Sequence, residues 1–170
     1  RVFRSRLDNA TLLGANEQRN LTMTTNFTYA DIPVGYSFDG LKIDVTREMI
    51  KEFAMASCDN NPLHWDDEFI ENTVFAGGKS FDSIIGHGLM TYSFMVRAMT
   101  DWLWPGNGDH RRMETRFRNP IYPGDTVQVH VDVLDKKETR KGKWLVCGVI
   151  VKNQNGQTVA TGDAMAELLA

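Results

Sequence analysis

Asp59 and His64 are the side chains of this sequence best placed to move a proton, and both lie in Ser57-Cys58-Asp59-Asn60-Asn61-Pro62-Leu63-His64. A carboxylate and an imidazole facing one water can work as a pair, one taking a proton while the other gives one. On a continuous helix a spacing of five residues would set them about 140° apart. Pro62 opposes a continuous helix, so a tight loop could aim both into one cleft. Asn61 offers an amide that could orient either partner. The same Asp-Asn-Asn-Pro run is also an ordinary turn, and a lone histidine is usually structural, so spacing alone leaves both readings open.

A second group is Ile84-Ile85-Gly86-His87-Gly88-Leu89-Met90-Thr91. Glycines at a helix N-terminus admit a ligand closely, and the free N–H groups there stabilise an anionic oxygen. An enolate or a polarised thioester carbonyl would suit such a site. Gly86 and Gly88 could equally serve only to start the helix tightly against a sheet. His87 is read as structural. No tight ligand spacing supports a metal held by Asp59, His64 and His87, and Cys58 is read as a plain thiol rather than a nucleophile.

The elements that must position these residues follow from periodicity. Gly35 to Asp44 reads as a strand. Thr46 is an N-cap for a helix through Ala56, with Met49, Ile50, Phe53 and Ala54 on one face. Asp66 to Glu71 is a short second helix. A long helix runs from about Ile85 to Trp102, with Ile85, Leu89, Tyr92, Val96, Met99 and Leu103 at three- and four-residue steps, while Phe94, Met95, Ala98 and Trp102 widen the apolar face. The period then changes to two: Met113, Thr115 and Phe117, then Val127, Val129, Val131 and Val133, mark half-buried strands. Lys141-Gly142-Lys143 is a turn, Trp144 to Val151 a strand, and Asn155-Gly156 a hairpin into a last strand. The fold class is α+β, with an antiparallel meander of about four strands wrapped round one long central helix.

The chain has 170 residues, 42% hydrophobic and 24% charged, which suits one ordinary globular domain. Its 19 basic and 22 acidic residues give a net charge of −3, the wrong balance for a general nucleic-acid binder. No apolar run is long enough for a bilayer span. The two cysteines form no disulfide framework, which fits a reducing cytoplasm. Residues 1–32 read as an N-terminal extension, poorly structured or added to the native chain. Met23 makes a natural start, so 1–22 is a dispensable leader despite its arginines. Residues 33–170 form the domain.

Asp59-Asn60-Asn61-Pro62-Leu63-His64, Gly86-His87-Gly88-Leu89-Met90 and Phe117-Arg118-Asn119-Pro120-Ile121-Tyr122-Pro123-Gly124-Asp125-Thr126 together resemble the MaoC-type (R)-specific enoyl-CoA hydratase family, with the hotdog fold. The family motifs are Gly-Asp-x-Asn-Pro-Leu/Ile-His, Ala-His-Gly-Met and Phe-x-x-Pro-Val-x-x-Gly-Asp. The departures near the dyad are Cys58, where glycine is common, and Gly86, where alanine is common. The resemblance implies that Asp59 and His64 activate a water, that Asn61 assists, and that the Gly88 N–H bonds the thioester oxygen. Water would add syn to a trans-2-enoyl thioester to give an (R)-3-hydroxyacyl thioester, or the reverse dehydration would run, within fatty acid metabolism. No metal or organic cofactor would be needed, the substrate being a coenzyme A or acyl-carrier-protein thioester. A cytoplasmic homodimer or hotdog heterodimer is expected, with the site near the interface and no nucleic-acid or membrane partner. Arg116 and Arg118 could meet the phosphates of the carrier or could simply be a solvated strand face. A hotdog acyl-CoA thioesterase and an acyl-binding subunit are the alternatives.

Overall fold

The computed structural model describes residues 26–169, so the expected leader lies outside the described residues. In chain order the elements are β1 (Ser37–Asp44), α1 (Arg47–Ser57), a 3-10 turn (Pro62–His64), α2 (Asp67–Glu71), α3 (Gly88–Leu103), β2 (Gly108–Phe117), β3 (Thr126–Thr139), β4 (Gly142–Asn153) and β5 (Thr158–Leu168). Thr46 caps α1 as expected, its hydroxyl oxygen accepting the Met49 N–H at 3.1 Å. Asp66 caps α2 in the same way, through Phe69.

The five strands make one antiparallel sheet in the order β1-β3-β4-β5-β2. Only β3, β4 and β5 form the expected meander. β2 instead leaves α3 at the far edge and pairs with β5, and residues 118–125 cross back to place β3 beside β1. The alternation in β3 is as the sequence implies: Val127, Val129, Val131 and Val133 are all buried, with Val129, Val131 and Val133 opposite the buried Val151, Val149 and Cys147 of β4. α3 lies across the sheet and reaches four of its strands.

The buried face of α3 is Met90, Thr91, Met95, Ala98, Met99, Trp102 and Leu103, whereas Leu89 is 58% exposed. Met95, Ala98, Met99, Trp102 and Leu103 were expected on the apolar face, and the core side lies among them rather than along Leu89: a helix apolar on most of its circumference has no strong moment to fix which side turns inward. Methionines fill the gap between helix and sheet, where an unbranched side chain adapts to an irregular surface. The helix also starts at Gly88, not Ile85. The Ile85 N–H is held by the Leu63 carbonyl (3.3 Å) and the Gly86 N–H by the Ile121 carbonyl (2.8 Å), which keeps that stretch out of helical geometry.

Residues 26–32, placed in the extension on sequence grounds, pack on the domain. Phe27 stacks on Trp102 with ring centroids 5.3 Å apart, and its N–H donates to Asn107 Oδ1 at 3.0 Å. Ile32 is buried, and Lys136 Nζ donates to the Tyr29 and Ile32 carbonyls. Apolar and aromatic side chains at 27, 29 and 32 give this segment enough burial to be ordered. Among the described residues no helix is long and apolar enough to cross a membrane.

Candidate active site

α1 ends sharply at Cys58, whose backbone is left-handed (φ 58°, ψ 21°). No other non-glycine residue among those described has positive φ. The position is a helix C-cap, where glycine is usual because a Cβ is disfavoured there. The reversal swings the next four residues back beneath α1. Asn61 then caps the 3-10 turn, its Oδ1 accepting the Leu63 N–H at 3.1 Å. Asn61 is thus a brace of the loop. Pro62 is at the first position of that turn, where its missing N–H costs nothing. Asn60 turns its carbonyl outwards to the Trp65 indole N–H (3.1 Å), flooring an open groove of about 430 Å³ with Lys51, Ala54 and Met55.

This fold brings Asp59 and His64 together. A carboxylate oxygen of Asp59 and one ring nitrogen each of His64 and His87 all lie within 4.8 Å of one another. His64 is buried and its Nδ1 lies 2.7 Å from the Ile85 carbonyl oxygen. A carbonyl can only accept, so Nδ1 carries a hydrogen, which fixes the tautomer and leaves Nε2 as the nitrogen free to exchange a proton. Asp59 is exposed, so the pair can be reached from solvent.

His87 was expected to be structural, and sequence reasoning left its neighbours unnamed. Its ring stacks on His64, with centroids 3.7 Å apart and planes 23° from parallel, and Phe53 covers it from 5.1 Å. Its Nε2 donates to the Asp59 carbonyl at 3.2 Å, and its Nδ1 is buried without a partner among the described residues. Burial holds this imidazole below its ordinary pKa; the bond to the Asp59 carbonyl opposes that, and His64 adds a smaller downward push, so the neutral form prevails at pH 7. Stacked rings are a poor chelate, because an ion lying in the plane of one ring falls well outside the plane of the other.

Gly88 opens α3 beside this pair, so its N–H has no acceptor within the helix. A Cβ at Gly88 would meet the Phe117 ring at 3.1 Å, and a Cβ at Gly86 would meet Ile121 Cγ1 at 2.5 Å. The departure from alanine at 86 thus goes with the large side chain of Ile121 against that backbone. Arg116 is not brought to the dyad. It stands with Glu114, Thr161 and Asp163 on the sheet face turned away from α3, 3.9 Å from Glu114. Arg118 lies just past the end of β2, exposed, its N–H on the Val159 carbonyl. Of the aromatics, Trp102 is in the core, while Phe69, Phe75 and Phe81 form an edge-to-face cluster under the Gly77-Gly78 turn.

A family model, described as MaoC like domain, matches residues 31–155. The chain belongs to the MaoC-like family. Membership makes it an enzyme of the hydro-lyase class, as the sequence resemblance implied. The chain is 32% identical over 125 residues to a mitochondrial 3-hydroxyacyl-[acyl-carrier-protein] dehydratase of Arabidopsis thaliana, covering 72% of this chain and 70% of that one. It is 28% identical over 141 residues to a 3-hydroxybutyryl-CoA dehydratase of Methylorubrum extorquens, covering 82% and 83%. The R-hydratase PhaJ1 of Pseudomonas aeruginosa superposes with a TM-score of 0.70 at 25% identity, over 84% of this chain and 86% of that one. The (R)-hydratase of Aeromonas caviae gives 0.69 at 25% identity, over 81% and 98%. The MaoC-like sheet and helix described above are therefore a hotdog fold.

Proposed function

We propose that this protein is an (R)-specific enoyl-thioester hydratase, also working in reverse as a 3-hydroxyacyl-thioester dehydratase. The observation that carries the reading is the convergence of the Asp59 carboxylate and a His64 ring of fixed tautomer beside the N-terminus of α3. Water held between the two loses one proton to the dyad as its oxygen bonds the β-carbon of a trans-2-enoyl thioester. A proton from the dyad goes to the α-carbon on the same face, so addition is syn. Charge that develops on the thioester oxygen is taken by the Gly88 N–H, a preorganised donor at a helix N-terminus. The α-position is acidified by the thioester itself. The acyl carrier is coenzyme A or an acyl-carrier protein. The site is completed by a second copy of the chain, since Asp59 and Phe117 are exposed around it.

The test follows the enoyl absorbance of crotonyl-CoA with wild type, Asp59→Asn and His64→Ala, with free thiol measured in the same samples. Absorbance loss without thiol release, lowered about 10²–10⁴-fold in each variant, is expected for proton transfer by a positioned dyad. Thiol release from the wild type would make the protein a thioesterase instead.

A further inference from the structure

We propose that His87 is a positioning residue of the hydration reaction, holding the Asp59 backbone and backing the ring of His64; the proposal rests on the hydratase reading above. Packing alone would be served better by an apolar ring. His87 is only 1% exposed, yet it keeps a polar Nδ1 with no partner among the described residues, a desolvation cost that packing does not offset. What the imidazole supplies is its other nitrogen, which donates to the Asp59 carbonyl at 3.2 Å. Cys58 has already reversed the chain one residue earlier, so this bond fixes the Asp59 peptide and with it the direction of the carboxylate. The ring face does a second job. When His64 takes the proton of water it becomes an imidazolium, and a neutral aromatic ring 3.7 Å away presents its π-face to that cation. Burial keeps His87 from taking the proton itself.

Two variants of the full chain separate the two contributions. His87→Phe keeps a stacked ring and loses the donor; His87→Gln keeps a donor at similar reach and loses the ring. Each is measured for crotonyl-CoA hydration and for hydrogen exchange of the Leu63, His64 and Trp65 amides, which are bonded inside the loop. For His87→Phe, kcat should fall about 10–100-fold with KM within about twofold, the range expected when a positioning contact is lost. Loop exchange should quicken about tenfold. His87→Gln should restore the exchange protection and part of kcat. Wild-type kcat and protection in His87→Phe would overturn the proposal, as would a glutamine variant no better than phenylalanine in either readout. Should His87→Phe fail to fold, unprotected loop amides in folded His87→Gln would overturn it. A wild type that hydrates no enoyl thioester would sink the hydratase reading instead, and the exchange data would then decide alone whether His87 holds the loop.

Discussion

Cys58 holds a left-handed backbone that costs an L-residue with a Cβ about 1–2 kcal/mol. Cys58→Gly removes that cost and adds unfolded-state entropy of about 0.4–1 kcal/mol, so the variant should be stabilised by roughly 0.5 kcal/mol. Urea midpoints at constant slope measure it, and a lower midpoint in the glycine variant would mean that the thiol packs usefully. The two cysteines should also differ in reactivity. Cys147 is buried and its thiol is pushed up to about 12, whereas Cys58 is exposed. A thiol reagent should label one equivalent in the native protein and two after unfolding. Asp59, Asn61, His64 and Gly88 were legible as candidates because each lies in a short contiguous motif that keeps its identity in one dimension. The His64–His87 stack was not, since it joins residues 23 positions apart that meet only once Ile85 and Gly86 are pinned to Leu63 and Ile121.

The elements were read well wherever period and end signals agreed: the Thr46 cap, the valine alternation of β3 and the Asn155-Gly156 hairpin all stand as expected. The inward face of α3 was read too broadly and its start too early, because its apolar residues surround it and its start is set by contacts from other elements. Gly86→Ala tests that dependence. The new Cβ would sit 2.5 Å from Ile121 Cγ1 and 2.9 Å from Met90 Cε, and the repacking should cost about 1–3 kcal/mol. Gly86→Ala combined with Ile121→Val should recover part of it; a neutral single variant would show that Ile121 yields freely. At the sheet edge, His130 joins β1 to β3. Its Nδ1 is 2.6 Å from Asp39 Oδ1 and its Nε2 3.3 Å from Asp132 Oδ1. The bond to Asp39 is the largest cause of its raised pKa; desolvation opposes it, and the Asp132 and Asp39 charges add smaller upward pushes. A raised folded-state pKa stabilises fully below the unfolded value of about 6.5, and that stabilisation fades as pH climbs through the folded pKa. Because the cluster is largely exposed, the effect should be only a few tenths of a kcal/mol. Denaturation midpoints should therefore fall above about pH 6.5 slightly more in wild type than in Asp39→Asn. Equal slopes would mean that water screens the link.

At the scale of the whole molecule, one flank of α3 and the neighbouring edge of the sheet are left uncovered by the described residues. Leu89 is 58% and Trp104 74% exposed, at the two ends of a stripe that runs through Val96. Val96, Thr100, Leu103 and Trp104 line a groove with Gly108 to Arg111 of β2, and β2 is an edge strand with one side unpaired. Bare edges and contiguous apolar stripes are costly in water, and pairing two copies about a twofold axis would remove both at once. The same stripe begins at Leu89, next to the Gly88 N–H, so covering it also shields the site from bulk water and strengthens the donor. If that holds, Val96→Glu, which buries a charge midway along the stripe, should give a folded monomer that hydrates crotonyl-CoA at least about tenfold more slowly, the loss of one to a few kcal/mol. Sedimentation of wild type near twice the 19.3 kDa chain mass, against a single mass for the variant, reads the assembly. A wild type that sediments as a fully active monomer would remove the second copy from the mechanism and leave the Phe117 ring as the nearest described side chain over Gly88.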